Sequence, residues 1–548
     1  MTDFIRSVQR QRLSQIGTVD LVVIGAGMTG AGVAVDAAAR GLSVVLLDKG
    51  DFGSGTSSKS SKMAHGGLRY LQQKEFRLVY ENLRERQRLL KNAPHLIAPL
   101  PFLIPLFGSG GVVSKTVTKA YASALRLYDL TGGWRIGRRY RQITREEALG
   151  HIPTLRADKL VAGFLYYDAR GDDARVALTL ARTAHEHGAV CLNYASVTGL
   201  TRNIEGLVVG VSGIDHVDNS HFEISSRAVV NATGVWADDI FHLEDATAPS
   251  RITPAKGVHI TVPADRLPCD VAAVFPVPGE RRSIFVLPFD NSAHTFIGTT
   301  DTPYDGDIDT PLCTADDVAY LLRAVNAATS SNLTSDDVTG VWAGLRPLLR
   351  PRAGTAISER TADLSRRHQV ESANDGLIHI TGGKWTTYRK MAEDTVDEVA
   401  SFLGRRRRCS TASLALSGSG SAPSGSDTLA TYLFHRFGTR GSEIAQHIAR
   451  ANNAGETPIA GLPHSWAEFE WMCANEMVVS VDDLLTRRTR AYLHDARATV
   501  LAARAISERV APICGWSPEK VTAMLASFYA MARRELATAG LSIEGLPE

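Results

Sequence analysis

An α/β fold in three parts is predicted by three features of this sequence. Residues 20–48 run strand, glycine turn, helix and strand. Short β-rich segments dominate residues 251–344, and residues 427–548 carry helical periodicity with no glycine cradle. The expected architecture is a Rossmann-like parallel sheet, an antiparallel-sheet domain whose segments interleave with it, and an all-α C-terminal domain.

The first unit is the most specific. Leu21-Val22-Val23-Ile24 reads as a buried strand, and Gly25-Ala26-Gly27-Met28-Thr29-Gly30 is a G-x-G-x-x-G turn opening an Ala-rich helix to Arg40. Val44–Leu47 is the next strand and ends at Asp48. This spacing sets a pyrophosphate on the helix N-terminus and a carboxylate on a ribose hydroxyl. An ordinary tight β-α turn is the competing reading.

Along the chain, residues 1–19 read as an exposed basic lead-in, and 20–250 with 345–403 as the discontinuous nucleotide domain. Residues 251–344 form the substrate-side sheet, 404–426 an arginine run followed by a flexible Ser/Gly-rich linker, and 427–548 the helical domain. Helices are predicted over 75–90, 114–128 and 174–187. Within the sheet domain, strands are predicted at 258–262, 283–287 and 295–299. His95–Phe107 is apolar but broken by Pro99, Pro101 and Pro105, and reads as a buried loop or a patch that dips into a membrane surface.

The chain has 548 residues, 44% hydrophobic and 22% charged, and a formal net charge of +2. That balance excludes a nucleic-acid binder that works by bulk charge. The six cysteines are scattered with no C-x-x-C pair, so no metal site is expected and the thiols are read as reduced in a cytosolic compartment. The N-terminus has no apolar signal-peptide core, and no run approaches the ~20 apolar residues of a spanning helix.

Seven further segments carry chemistry. Thr56-Ser57-Ser58-Lys59-Ser60-Ser61-Lys62 is dense in groups that suit phosphate oxygens, with a polar turn as the alternative. His65-Gly66-Gly67-Leu68-Arg69-Tyr70 pairs glycines, which admit close approach of a flat ring, with donors for an anionic substrate. Asn231-Ala232-Thr233-Gly234 is a small-residue strand end, and His259 in Lys256-Gly257-Val258-His259 titrates in the range of a general base. Arg346 in Gly344–Leu348, Arg366 in Ser365–His368, and Lys384 in Gly382-Gly383-Lys384 are cations beside chain punctuators. Their convergence implies a phosphate or carboxylate substrate; surface ion pairs are the bland alternative.

Together these residues resemble the FAD-dependent glycerol-3-phosphate dehydrogenase family, of the bacterial aerobic, quinone-linked kind. The resemblance rests on G-A-G-M-T-G-A-G at 25–32, T-S-S-K-S-S-K-M-A-H-G-G-L-R-Y-L at 56–71, D-D-A-R at 172–175, N-A-T-G-V-W-A-D at 231–238 and K-G-V-H-I at 256–260. It continues through I-G-T-T-D at 297–301, G-L-R-P-L at 344–348, L-S-R-R-H at 364–368 and G-G-K-W-T-T-Y-R at 382–389. In the helical tail it rests on Glu476–Arg490. Val235 stands where proline is frequent, Arg367 where an acid or amide is more usual, and the Ser/Gly linker is longer than usual.

The resemblance implies a two-domain flavoprotein of the glutathione-reductase/D-amino-acid-oxidase type. Its reaction is oxidation of sn-glycerol 3-phosphate to dihydroxyacetone phosphate, with hydride transfer to flavin N5 and electrons passed to a respiratory quinone. An oxidase that uses dioxygen and releases hydrogen peroxide is the alternative; amine oxidases of the sarcosine or glycine type share the fold. By the resemblance, Arg346, Arg366 and Lys384 hold the substrate, Tyr70 and Arg69 complete the pocket, and His259 is the base. Arg360 is an alternative to Arg366. FAD falls to Gly25, Gly27, Met28, Thr29, Gly30 and Asp48; to Thr56, Ser57, Ser58, Ser61 and Lys62; to His65, Gly66, Gly67 and Leu68; to Ala232, Thr233 and Gly234; and to Gly383, Lys384 and Thr386. Peripheral contact with the inner face of the cytoplasmic membrane and a homodimer are further family expectations.

Overall fold

Leu21–Ile24 lies inside a six-stranded sheet, paired in parallel with Val44–Leu47 on one side and Val229–Asn231 on the other. The sheet continues to Val190–Leu192 beyond the former, and to Leu377–Thr381 and antiparallel Gln369–Ser372 beyond the latter. The central strands are buried along their whole length, which is why they read as unbroken apolar runs. The computed structural model describes residues 4–68, 70, 75–108, 115–280, 282–289, 293–350, 367–405, 407–423 and 427–548.

Helix Met28–Ala39 packs against Asp173–Glu186 and Tyr388–Phe402 on one face of this sheet. A three-stranded antiparallel sheet, Ala195–Arg202, Val208–Asp215 and Ser220–Ser225, shares a core with the other face. The helices predicted near 75–90, 114–128 and 174–187 are Phe76–Asn92, Lys115–Leu130 and Asp173–Glu186.

The larger, ten-stranded sheet contains the three predicted strands as parts of Ile252–Pro263, Ser283–Pro288 and His294–Gly298. It recruits four strands from the N-terminal half of the chain: Met63–Ala64, Ile97–Phe107, Arg141–Thr144 and Leu160–Gly171. Its strand Gly340–Leu349 runs across the boundary expected at 344 and 345, so one strand carries both the sheet domain and Arg346.

Ile97–Phe107 corrects the loop or membrane-patch reading. It is a strand paired antiparallel with Leu160–Gly171 over nearly its full length. Pro99, Pro101 and Pro105 share one parity, so their missing N–H groups fall along a single edge of the strand. Its neighbour Ala272–Pro276 registers with it only at Phe102 and Leu103, so three prolines are tolerated without unpairing the strand.

Two segments read as solvated are docked instead. The N-terminal lead-in contains helix Arg6–Gln15, with Phe4 fully buried and Arg6 paired with Asp215 at 2.7 Å. In the linker, Arg405 pairs with Asp20 at 2.9 Å, Arg407 donates to the carbonyl of Arg40, and Leu416 is buried. The backbone N–H groups of Leu416 and Ser417 donate to the Asn92 carbonyl and to Thr183 Oγ1. Residues 406 and 424–426 lie outside the described residues.

The C-terminal region is helical as expected, with its longest helices at Ala496–Cys514 and Pro518–Thr538. Its attachment is electrostatic and buried. A π-helical turn, Asp483–Arg488, presents two consecutive arginines to Asp51: Arg487 at 2.8 Å and Arg488 at 2.6 and 2.9 Å. Arg490 reaches Asp173 and donates to the Ser58 carbonyl at 2.8 Å, while Arg175 pairs with Glu476 at 2.6 Å. Burial alone would raise the pKa of Asp51, but Arg488 and then Arg487 outweigh it and hold the carboxyl at about 2. Removing one side of such a cluster leaves buried charge uncompensated. We expect Asp51→Ala to cost about 3–5 kcal/mol of stability, read from urea unfolding. A midpoint unchanged from the parent chain would contradict the clamp.

Candidate active site

The glycine turn sits at the C-terminal end of the central strand, where strand order reverses and open α/β sheets bind ligands. Gly25 adopts φ +97°, and a Cβ there would lie 2.7 Å from the Ala232 carbonyl oxygen, so the turn needs glycine. Helix Met28–Ala39 begins at Gly27 with no side-chain cap. Ser57 Oγ accepts from the Met28 N–H at 2.8 Å, joining the serine-rich loop to the helix start. Such an end presents backbone N–H groups and a positive dipole to an anion.

A cavity of about 1130 Å³ opens over this turn. From the first unit, Gly25, Gly27, Met28, Thr29 and Asp48 line it; Ala232, Thr233 and Gly234 form an adjoining wall. Thr56, Ser57, Ser58 and Ser61 contribute from the serine loop, and His65, Gly67, Leu68 and Tyr70 from the segment after it. Gly383, Lys384, Thr386, His259 and Arg346 reach the same space. Sequence positions from 24 to 535 therefore converge on one cavity.

Asp48 is half-buried at the cavity wall, and its carboxylate accepts from the Ala26 N–H at 2.6 Å and the Gly50 N–H at 2.9 Å. Burial raises its pKa to about 6, against the pull of those two hydrogen bonds.

Three small constellations arm the rest of the cavity. Lys384 Nζ lies 3.7 Å from the centre of the Tyr70 ring, a cation–π contact. The Arg346 guanidinium is aimed by Asp301 at 3.0 Å, the Thr300 carbonyl at 3.1 Å and Thr299 Oγ1 at 3.3 Å. His259 stacks on Trp342 with centroids 4.8 Å apart and an interplanar angle of 7°, and its Nε2 is 2.8 Å from Ser61 Oγ. Burial, then the charges of Lys62 and Arg346, pull its pKa well below the ordinary imidazole value, so the ring is neutral. Among the described residues its Nδ1 has no hydrogen-bond partner.

Several expected contacts are placed differently. Gly30 does not line the cavity: a Cβ there would lie 1.8 Å from the Gly25 carbonyl, so it serves helix–strand contact. Gly66 is also behind the wall, its N–H donating to Tyr128 Oη at 3.0 Å and Asp168 at 3.2 Å. Lys62 is committed to buried Asp173 at 3.0 Å; burial and then Arg490 bring its pKa to about 8, so it tunes the site through its charge. Lys256 pairs with Asp317 at 2.6 Å, and Arg367 with Glu75 at 2.9 Å. Arg69, Arg360 and Arg366 lie outside the described residues. Sequence reasoning missed Asp301 as the group that aims Arg346, although I-G-T-T-D carried it, and Trp342, which gave no signal beyond being aromatic.

Comparison with known proteins gives this arrangement its context. The family model described as FAD dependent oxidoreductase matches residues 20–389, and that described as C-terminal domain of alpha-glycerophosphate oxidase matches 378–521. The chain is 39% identical over 534 residues to glycerol-3-phosphate dehydrogenase 2 of Mycobacterium tuberculosis, covering 94% of this chain and 88% of that protein. It is 34% identical to the mitochondrial glycerol-3-phosphate dehydrogenase of Mus musculus, covering 99% and 78%. The chain belongs to the FAD-dependent glycerol-3-phosphate dehydrogenase family. Among solved structures, the glycerol-3-phosphate dehydrogenase of Bacillus halodurans complexed with FAD superposes with a TM-score of 0.77 at 30% identity, covering 97% and 98% of the two chains. The L-alpha-glycerophosphate oxidase of Mycoplasma pneumoniae shares the fold at a TM-score of 0.55 and 18% identity.

The residues present fit the family's FAD. The helix N-terminus suits a pyrophosphate, Asp48 follows the second strand, and the cavity is as large as dinucleotide sites require. Because the folded protein holds the Asp48 proton more tightly than an unfolded chain with a carboxyl near 3.8, its stability falls as pH rises from about 4 to about 6. We expect Asp48→Asn to remove that component, seen as a difference in urea midpoints across this range. Superimposable pH profiles would contradict it.

Proposed function

We propose that this chain oxidises sn-glycerol 3-phosphate to dihydroxyacetone phosphate and passes the electrons to a respiratory quinone. The observation that carries the reading is the set of aimed cations in a cavity continuous with the FAD cradle. Arg346 is held by Asp301, and Lys384 by the Tyr70 face; both supply charge to an anionic substrate. Bound FAD supplies the two-electron acceptor for the hydrogen at C2.

The remaining chemistry belongs to the protein. Arg346 and Lys384 grip the phosphate and fix the polyol's orientation, with Tyr70 covering the lysine. Neutral His259 with Ser61 Oγ at 2.8 Å forms a two-member relay able to take the substrate hydroxyl proton. Burial first, and then the charges of Lys62 and Arg346, oppose an imidazolium; a bound phosphate dianion offsets the charges and so relieves that part of the opposition. Peripheral membrane contact fits the quinone reading; among the described residues no helix is long and apolar enough to cross a membrane.

Each charge-assisted hydrogen bond to the phosphate contributes about 1.5–3 kcal/mol. Loss of two through Arg346→Ala should therefore lower kcat/KM for glycerol 3-phosphate by roughly two to four powers of ten, with the flavin retained. Steady-state kinetics like those of the parent chain would refute the role. The acceptor is tested by turnover in air: we expect rapid reduction of a soluble quinone analogue and little hydrogen peroxide. Stoichiometric peroxide with a sluggish quinone reaction would make the chain an oxidase.

A further inference from the structure

A second, much smaller cavity of about 10 Å³ lies where the helical domain meets helix Asp173–Glu186. It is separate from the FAD cavity, and its charged lining is four arginines and one glutamate. Arg175, Arg182, Arg436 and Arg440 all line it, and so does His95. Three of these arginines have carboxylates of their own: Arg175 with Glu476 at 2.6 Å, Arg436 with Glu468 at 3.0 Å, and Arg440 with Glu186 at 2.5 Å.

Arg182 is the exception. Its residue is only 5% exposed, and among the described residues no carboxylate lies within ion-pair distance of it. It donates through Nη2 to the Asn475 carbonyl and lies over the rings of Phe4 and Trp471, at 5.0 and 5.7 Å. Among the described residues its Nη1 has no hydrogen-bond partner, and neither does Nδ1 of His95, which is 3% exposed. A water molecule would satisfy a donor but leave the charge, and a buried cation with no carboxylate in contact is costly. Burial and the neighbouring Arg440 and Arg175, opposed by Glu476 and Glu186, lower the pKa of Arg182 to about 10. Burial and then Arg175 take His95 to about 4.

We propose that this cavity is a halide site, in which one chloride ion lies against Arg182 at the junction of the cofactor domain and the helical domain. The volume is at the lower limit for one water molecule, so a chloride ion, somewhat larger than water, enters only as a side chain of the wall shifts, and phosphate, sulfate or a carboxylic acid would need a much wider opening. Arg440 forms the wall nearest solvent, with a side chain 18% exposed, and is the group that yields to admit the ion. Glu476 also lines the cavity, but Arg175 already neutralises it. The bound ion ties Arg182 of the cofactor domain to Arg436 and Arg440 of the helical domain, so halide binding stabilises the joined domains and leaves the chemistry at the FAD cavity unchanged.

The test uses the FAD-loaded enzyme. Crystals grown in sodium bromide should show an anomalous peak within contact distance of Arg182 Nη1. A peak with no anomalous signal there, a water only, would overturn the proposal. Thermal denaturation at constant ionic strength, with chloride replaced stepwise by gluconate, should show Tm rising with the logarithm of chloride concentration. Arg182→Met should flatten that dependence while leaving kcat/KM unchanged. A chloride-independent Tm in the parent chain, or an equal slope in Arg182→Met, would also overturn it. Should Arg182→Met not fold, the bromide map of the parent chain decides alone.

Discussion

The pairing of Asp51 and Asp173 with Arg487, Arg488 and Arg490 is the constraint on which the rest of the molecule depends. Both acids belong to the cofactor domain, and all three arginines to the helical domain. Asp51 follows the second strand of the glycine-turn unit, and Asp173 opens a helix packed against the first helix of that unit. Asp173 also holds Lys62 and Ser60, so the loop that carries Ser57, Ser58 and Ser61 is anchored from beneath by the helical domain's arginines. A buried ion pair contributes little to net stability, but its cost when broken makes domain placement specific.

That anchoring explains why a cradle for a dinucleotide and a cationic pocket form one cavity. The parallel sheet supplies the glycine turn and Lys384 at its strand ends; the ten-stranded sheet supplies His259 and Arg346 on two paired strands. Ser61, from the anchored loop, touches His259 across the boundary between them. Each group is held by a partner that is not itself in the reaction: Asp301 for Arg346, Trp342 for His259, Ser57 for the helix start. Groups held in this way need little reorganisation when charge develops.

The parts of this arrangement that were legible in the sequence are those encoded locally. The strand–turn–helix–strand of residues 21–47 follows from adjacent residues, and the structure places it within a residue of expectation. The same holds for the cationic residues beside Gly344 and Gly383. What escaped depends on partners far along the chain. Nothing near Asp51 indicates Arg488, 437 positions away, and nothing near Cys409 indicates Asp36, so the helical domain's attachment and the docking of the linker were hidden. Ile97–Phe107 was misread for a different reason: proline argues against a strand unless all its prolines share an edge, and that depends on the neighbouring strand's short register. Gly66 and Lys62 sit in the right segment but on its far side, a distinction that residue types cannot make.

The account's central claim is that a phosphorylated polyol held by this cavity's cations delivers its electrons to the flavin beside it. The most direct measurement is anaerobic titration of the FAD-loaded protein with sn-glycerol 3-phosphate, recorded in the visible flavin absorbance. The account predicts bleaching of the oxidised flavin band by glycerol 3-phosphate and no response to unphosphorylated glycerol at the same concentration. A band that persists through excess glycerol 3-phosphate, or that glycerol bleaches equally well, would contradict it.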